Sequence, residues 1–536
     1  MKTKIIITSL VVLWAASNLH AQYKPDRDAW NFYNFNLTTD TLKLWTIYSK
    51  SFLGVGPDYQ SASIDDRTFF DQVITRYAGN ANCFGMSLLS LICYKEGGHL
   101  AVCSPVYEYE GDLSDTHNGP DMELVREAIG VMHLRQLAQP MLEEIVDMVN
   151  DANYSQPMYH FGVIKAGLAS HDYPMLSFMP SSISTISGAT GGGQQAHTIV
   201  PISTTETASY ARIYVYDPNR PYSQWNSFYD GAGAVNYLQI NKTSATKHWK
   251  YPADFVAGDP NSYGWEGGSN DDWTFIATNV SAAKYKDNHA LSLSWILGQI
   301  GTLIFSGDGG INQISDDQGH RFYDWSSGQQ KLEKDPARRT LDIIRWPFFS
   351  GRSRTPGEVY FIRNAGGRNL NIEINSKNKE YTCRFVMKDN AMALGVGAGA
   401  AGKDTLRIQA INTSQQVLQL GSQRQLSNVR LNIHRHSPQY QVTRDFHLSN
   451  MSLPKEAPVR FALASHLDSL KVESPRGEVT YVLEIAQTVN NKTTRSERQQ
   501  FLVPAGQKHI LSPQDWRELK KSSVAPAVKA IPREQE

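Results

Sequence analysis

GNANCFGMSLLSLICY, residues 79–94, sets a cysteine between a short Gly/Asn run and an apolar stretch without charge. The spacing predicts a helix starting at Cys83, with Phe84, Leu88, Leu91 and Ile92 on one side and Met86 and Leu89 on another. A helix that is apolar nearly all round is buried at a domain centre. Two readings of Cys83 follow. It is a small core residue at the head of a buried helix, or a nucleophile on a helix N-terminus, where the dipole and free N–H groups stabilise a thiolate.

The second reading needs a base, a group that orients the base, and donors for an oxyanion. Of the 15 histidines, His197 follows a Gly-rich loop, SGATGGGQQA (187–196), and opens the apolar run HTIVPI (197–202). That position points an imidazole into a cleft. The next apolar run, ARIYVYDPNRP (211–221), ends at Asp217, ahead of Pro218 and Asn219. A carboxylate at a strand end, one hairpin from His197, can reach the second ring nitrogen. Asn219 is the competing orienter. Asn80 and Asn82 flank the thiol, and either could donate to an oxyanion beside the Cys83 backbone N–H. Taken singly, Cys83 reads as a core thiol, His197 as a turn or core histidine, and Asp217-Pro218-Asn219 as a turn signal. Their conjunction carries the catalytic reading.

In that order, NCFGMS (82–87), AHTIVPI (196–202) and YVYDPNRP (214–221) resemble the papain-like cysteine peptidase superfamily, most of all its bacterial branch similar to the C39-type peptidases. The likeness covers roughly residues 60–280. It implies an α+β fold with a helical half and a β half, thioester chemistry on an amide, a peptide or protein substrate, and no metal or cofactor. By the resemblance Cys83 is the nucleophile, His197 the base and Asp217 the orienter. Tyr77 stands where the family carries its oxyanion glutamine, about six residues before the nucleophile, and the nearest glutamine is Gln72. Either Asn80 or Asn82 takes that role, or the core is an inactive relative acting as a secreted or surface binding protein. A cell-wall peptide amidase or transferase would use the same triad.

The chain of 536 residues, 41% hydrophobic and 19% charged, has the composition of a globular protein of two or three domains. Lys plus Arg equals Asp plus Glu at 52 each, so no net field draws it to nucleic acid or acidic lipid. Residues 1–21 combine Lys2 and Lys4, an apolar core and an exit at Ala21, the pattern of a secretory signal peptide. The expected location is secreted or periplasmic. Four cysteines (83, 93, 103 and 383) are few for an exported chain of this size. Cys93 and Cys103 could pair across Gly97-Gly98; an unpaired thiol in an oxidising compartment needs a reason, and catalysis is one. Ala290–Phe305 is too short and too interrupted for the ~20 apolar residues of a membrane span.

Residues 22–345 read as the α+β, papain-like domain with a connecting region. Helices are expected over 122–137, capped by Asp121, and after Pro140, where Leu142, Ile145, Val146 and Val149 recur at helical spacing. Strands are expected at 173–178, 197–202, 211–217 and 272–279. Composition places a boundary near 345–355, and residues 350–512 alternate apolar and polar in short runs suited to a β-sandwich. By fold analogy alone, that second domain reads as a surface- or substrate-binding module. Residues 513–536 form a tail with one short helix. Three further patterns are set aside. GAGAAGKD (397–404) reads as a hairpin loop, because Asp404 replaces the Ser/Thr of a phosphate loop. His434 and His436 lie on a solvated strand face. SGDGG (306–310) reads as a turn without EF-hand spacing.

Overall fold

The computed structural model describes residues 22–530 except 63, 77, 80, 112–118, 139, 142–143, 145–152, 154–155, 181–196, 232, 253–263, 270–272, 284–299, 320, 325–341, 346–356, 364–366, 388–389, 411–415, 438, 440–441, 465–467, 491, 514, 517–518 and 520–523. The signal-like segment, Tyr77, Asn80, the loop before His197 and most of the second helix pattern after Pro140 lie outside the described residues. So does most of the 345–355 boundary.

The N-terminal region is mixed α and β. Its helices include α1 (Thr41–Ser51), α2 (Cys83–Glu96), α3 (Glu123–Leu134) and α4 (Pro157–Ser170). Helix α2 is buried from Cys83 through Cys93, as its apolar circumference demands, and ends on Gly97 in the left-handed conformation. It crosses α3 at Gly85, where a Cβ would stand 2.2 Å from the Ile129 carbonyl oxygen. Only glycine lets the two backbones approach this closely. Helix α3 starts one residue later than expected: Met122 is its N-cap and makes no side-chain cap bond, so Asp121 is not the cap.

Behind the helices lies an antiparallel sheet of β1 (Pro174–Pro180), β2 (His197–Glu206), β3 (Tyr210–Tyr216), β4 (Tyr237–Asn241), β5 (Trp249–Tyr251), β6 (Trp265–Gly267) and β7 (Trp273–Asn279), in the order β6-β5-β4-β3-β2-β1-β7. Each strand run read from the sequence is present. The sheet curls, because Trp265 of β6 stacks on both Phe178 of β1 and His197 of β2.

From Ile300 the described elements are all antiparallel β-strands. Pairing in this second ladder begins with the strand Ile300–Ser315, well ahead of the stretch where composition placed the change. Two long strands, Ile300–Ser315 and Leu370–Met387, pair along their length and feed two branches. The first half of Leu370–Met387 pairs with Gly402–Gln409, and its second half with Asn390–Val396. Later hairpins alternate between the branches, and both apolar faces close on one core containing Ile372, Leu420, Phe461, Leu431, Phe446 and Leu483. The alternation of buried and exposed residues along each strand is the period-2 pattern of the sequence.

Three loop readings change. SGDGG is not a turn but lies within the long strand Ile300–Ser315, where the register shifts between Gly307 and Gly309. GAGAAGKD is not a hairpin: its loop joins Asn390–Val396 to Gly402–Gln409, which lie in different branches, and Asp404 is buried against Tyr381 and Ser422. The tail contributes a strand, Val524–Ala530, paired with Gln507–Pro513; Pro526 is tolerated there because the strand is at an edge.

Candidate active site

Cys83 is the first residue of α2 and only 6% exposed. Its position follows from the sequence, because the apolar run after it builds the helix while Asn82 supplies the N-cap. His197 opens β2, and the register of β2 with β3 explains why it meets Asp217. Val200 pairs with Tyr216, so the next position along sets Asp217 opposite Ile199. Ile199 and His197 are two apart and share a face, which makes His197 and Asp217 diagonal neighbours. His197 Nε2 donates to Asp217 Oδ1 at 2.6 Å. The Cys83 side chain acts on the same imidazole and helps to hold its charge. The three residues singled out in the sequence are thus brought together.

The helix and the strand are tied one turn into α2. Ser87 Oγ donates to the Thr198 carbonyl at 3.1 Å, next to His197, and Ser177 and Thr198 share a 2.9 Å hydroxyl contact. Ser87, Ser177 and Thr198 are buried hydroxyls and each has a partner.

Asp217 is fully buried and heavily held. Its Oδ1 also accepts the Asn219 backbone N–H at 2.8 Å, and its Oδ2 accepts the Tyr251 hydroxyl at 2.9 Å. The Arg220 guanidinium stands 4.0 Å from Oδ2 and lies over the Phe228 ring. Burial alone would push the carboxyl up, but the His197 charge and hydrogen bond, with Arg220 and the Asn219 N–H, bring it down to about 2. Burial alone would likewise lower His197, yet the Asp217 carboxylate, its hydrogen bond and the Cys83 contact raise it to about 9. An imidazolium–carboxylate pair therefore persists across neutral pH. Trp265 covers the imidazole, 5.2 Å between ring centres and nearly parallel.

The remaining candidates separate. Asn219 does not orient His197 with its side chain, whose Oδ1 instead accepts from Asn34 Nδ2 at 2.9 Å; the backbone N–H of Asn219 is what reaches Asp217. Asn80 lies outside the described residues. Asn82 is fully buried, its amide makes no helix-capping bond, and neither amide atom has a hydrogen-bond partner among the described residues. It also lines a cleft of about 460 Å³ with Phe35, Leu37, Ile47, Arg126 and Glu127, and the Lys43–Glu123 ion pair, 2.9 Å long, borders the same cleft.

The other thiols lie away from this imidazole. Burial pushes Cys93 up to about 12, Cys383 is enclosed in the second core, and Cys103 is exposed. All four cysteines are free, so the pairing of Cys93 with Cys103 that the sequence allows is not made. His434 and His436 turn to Asp445 and Thr443 rather than to a common ion. Sequence reasoning missed Tyr251, Trp265 and Ser87. The first two sit on strands of only three residues, too short for a period to register. Ser87 was legible only as a hydroxyl in an apolar run.

No protein-family model matches this chain, and no match is found among curated proteins or solved structures. Among the described residues no helix is long and apolar enough to cross a membrane.

Proposed function

We propose that the chain is an exported cysteine-dependent amide hydrolase with a papain-like core, acting as a peptidase through Cys83, His197 and Asp217. The observation that carries this reading is the buried imidazole of His197, hydrogen-bonded to Asp217 and held charged in part by Cys83, the first residue of a helix. An imidazolium held charged beside the sulfur favours the thiolate as nucleophile.

The thiolate attacks the amide carbonyl carbon, and the carbonyl electrons move to oxygen. The Cys83 backbone N–H and the unpartnered Asn82 amide receive that oxyanion. His197 passes its proton to the leaving nitrogen, the C–N bond breaks, and a thioester remains. His197, now neutral, takes a proton from water, whose hydroxide attacks the thioester; the acid leaves and the thiolate–imidazolium pair is restored. Asp217 keeps the ring orientation throughout. The all-β region serves as a surface- or substrate-binding module in this proposal.

The test is alkylation with iodoacetamide and with an E-64-type epoxide, in a Cys103→Ser background because Cys103 is exposed. Modification mapping to Cys83, and its loss in His197→Ala, is the expected result. A Cys83 inert to both reagents at neutral pH would overturn the hydrolase and favour an inactive, binding core.

A further inference from the structure

The outer face of the all-β region carries a pocket of about 230 Å³ lined by Arg430, Asn432, His447, Ser449, Glu484, Arg495 and Arg498, with Leu448. Its residues come from successive strands. Asn432 of Leu426–Ser437 pairs with His447 of Val442–Leu453, and His447 pairs in turn with Glu484 of Val479–Val489. Arg495 comes from the neighbouring strand Lys492–Arg495, and Arg498 lies just beyond it. Arg430 enters from the opposite side, two residues before Asn432 on the same face.

Three arginines and one carboxylate line this hollow. Arg495 and Arg498 both bond Glu484, at 2.7 and 2.8 Å, while Asp445 on the same face is engaged by His434. The lining holds three guanidinium groups to one carboxylate, so the hollow stays positive even when Asp445 on the same face is counted. A merely solvated face keeps like charges apart, because their repulsion is unfavourable. Between the arginines lie the hydrogen-bonding groups of Asn432, His447 and Ser449. His447 Nδ1 bonds Asn432 Oδ1 at 3.0 Å, which fixes the ring. The hollow is smaller than the ~300–1,000 Å³ of sites that enclose drug-sized ligands, so it takes one ring-sized group or less.

We infer that this pocket binds an oxyanion, carboxylate, sulfate or phosphate, carried on a ligand no larger than one sugar ring. Guanidinium forks match such groups bidentately, and the Asn, His and Ser groups suit ring hydroxyls. The site is independent of the Cys83 chemistry.

Calorimetric titration of the full chain with sodium glucuronate, sulfate, inorganic phosphate and neutral glucose tests it. Wild type is expected to bind the anions with millimolar affinity and glucose not at all, and the double variant Arg430→Gln/Arg498→Gln to lose at least tenfold in affinity. Glu484→Gln, which removes the internal competitor, should bind the anions more tightly. Glucuronate binding tighter than phosphate and sulfate assigns the source to an acidic sugar; equal binding assigns the oxyanion alone. These arginines are exposed, so thermal unfolding of the variants should match wild type. Absence of anion binding by wild type, or binding that the double variant leaves unchanged, would overturn the inference.

Discussion

His197 Nε2 lies 2.6 Å from Asp217 Oδ1, with the imidazole 3% exposed and the carboxylate fully buried. Two ionisable groups in a dry contact must titrate as partners, and the direction of each shift sets the pH window. His197 is raised from 6.5 to about 9, so its contribution to stability is full below about 6.5 and is lost as pH rises through about 9. Asp217 is lowered from 3.8 to about 2, so its contribution is full above about 3.8 and is lost as pH falls through about 2. An NMR titration of the His197 ring should give a midpoint well above 6.5. That midpoint should fall in Cys83→Ala and fall further in Asp217→Asn, because the carboxylate is the larger source of the rise. A wild-type midpoint near 6.5 would mean that the pair is not formed in solution.

The contacts of Asn219 and Asp217 predict unequal losses within the site. In the proposed mechanism Cys83 is the nucleophile and His197 the proton carrier, so Cys83→Ala and His197→Ala should each abolish turnover without unfolding the chain. Asp217→Ala should reduce kcat/KM by ~10- to 10⁴-fold, the range expected for an orienting carboxylate. Asn219→Ala keeps the backbone N–H that reaches Asp217 and removes the side-chain bond to Asn34, so its loss should stay under about tenfold. Ratios of kcat/KM on the first active substrate decide. A larger loss for Asn219→Ala would transfer the orienting role to it.

Positioning of the sulfur rests on the two sides of α2. Gly85→Ala drives a methyl group into the Ile129 carbonyl, so α2 must move away from α3. Such overpacking typically costs ~1–3 kcal/mol or more. Ser87→Ala removes the tie to Thr198 and should cost about 1 kcal/mol. The two should differ in kind: Gly85→Ala lowers Tm strongly, while Ser87→Ala lowers kcat out of proportion to its small Tm change. Equal and small effects on both measurements would show that the helix tolerates displacement.

The strands and the residues Cys83, His197 and Asp217 were legible because each depends on local pattern. Period-2 alternation marks 429–436 and 479–486, and an apolar run marks α2. What the sequence hides is pairing between distant segments. Nothing local to Ile300–Ser315 announces that it bonds two later strands and so starts the all-β region, or that the glycines at 307–310 carry a register shift rather than a turn. Likewise Tyr251 and Asp217 are far apart in sequence and meet only because the sheet curls. Asn219 was a reasonable orienter by residue type; one turn of backbone sends its amide to Asn34 instead.

Asn82 separates function from stability most cleanly. An N-cap asparagine normally accepts from the helix N–H groups, and replacing it with alanine then costs ~0.5–2 kcal/mol. Among the described residues Asn82 makes no capping bond, and its two buried amide atoms have no partner. An orphaned buried polar group is unfavourable by ~1–3 kcal/mol. Asn82→Ala removes that burden, so Tm should hold or rise. If the amide receives the oxyanion, the same substitution should lower kcat/KM by ~10²–10³-fold, mostly through kcat, because the contact exists only in the transition state. Asn82→Asp, which places a negative charge where the oxyanion develops, should be still less active. Parallel thermal melts and kinetics read both quantities. A drop in Tm together with activity would make Asn82 a structural residue, and unchanged turnover would leave the oxyanion to the backbone N–H of Cys83 and to groups other than Asn82.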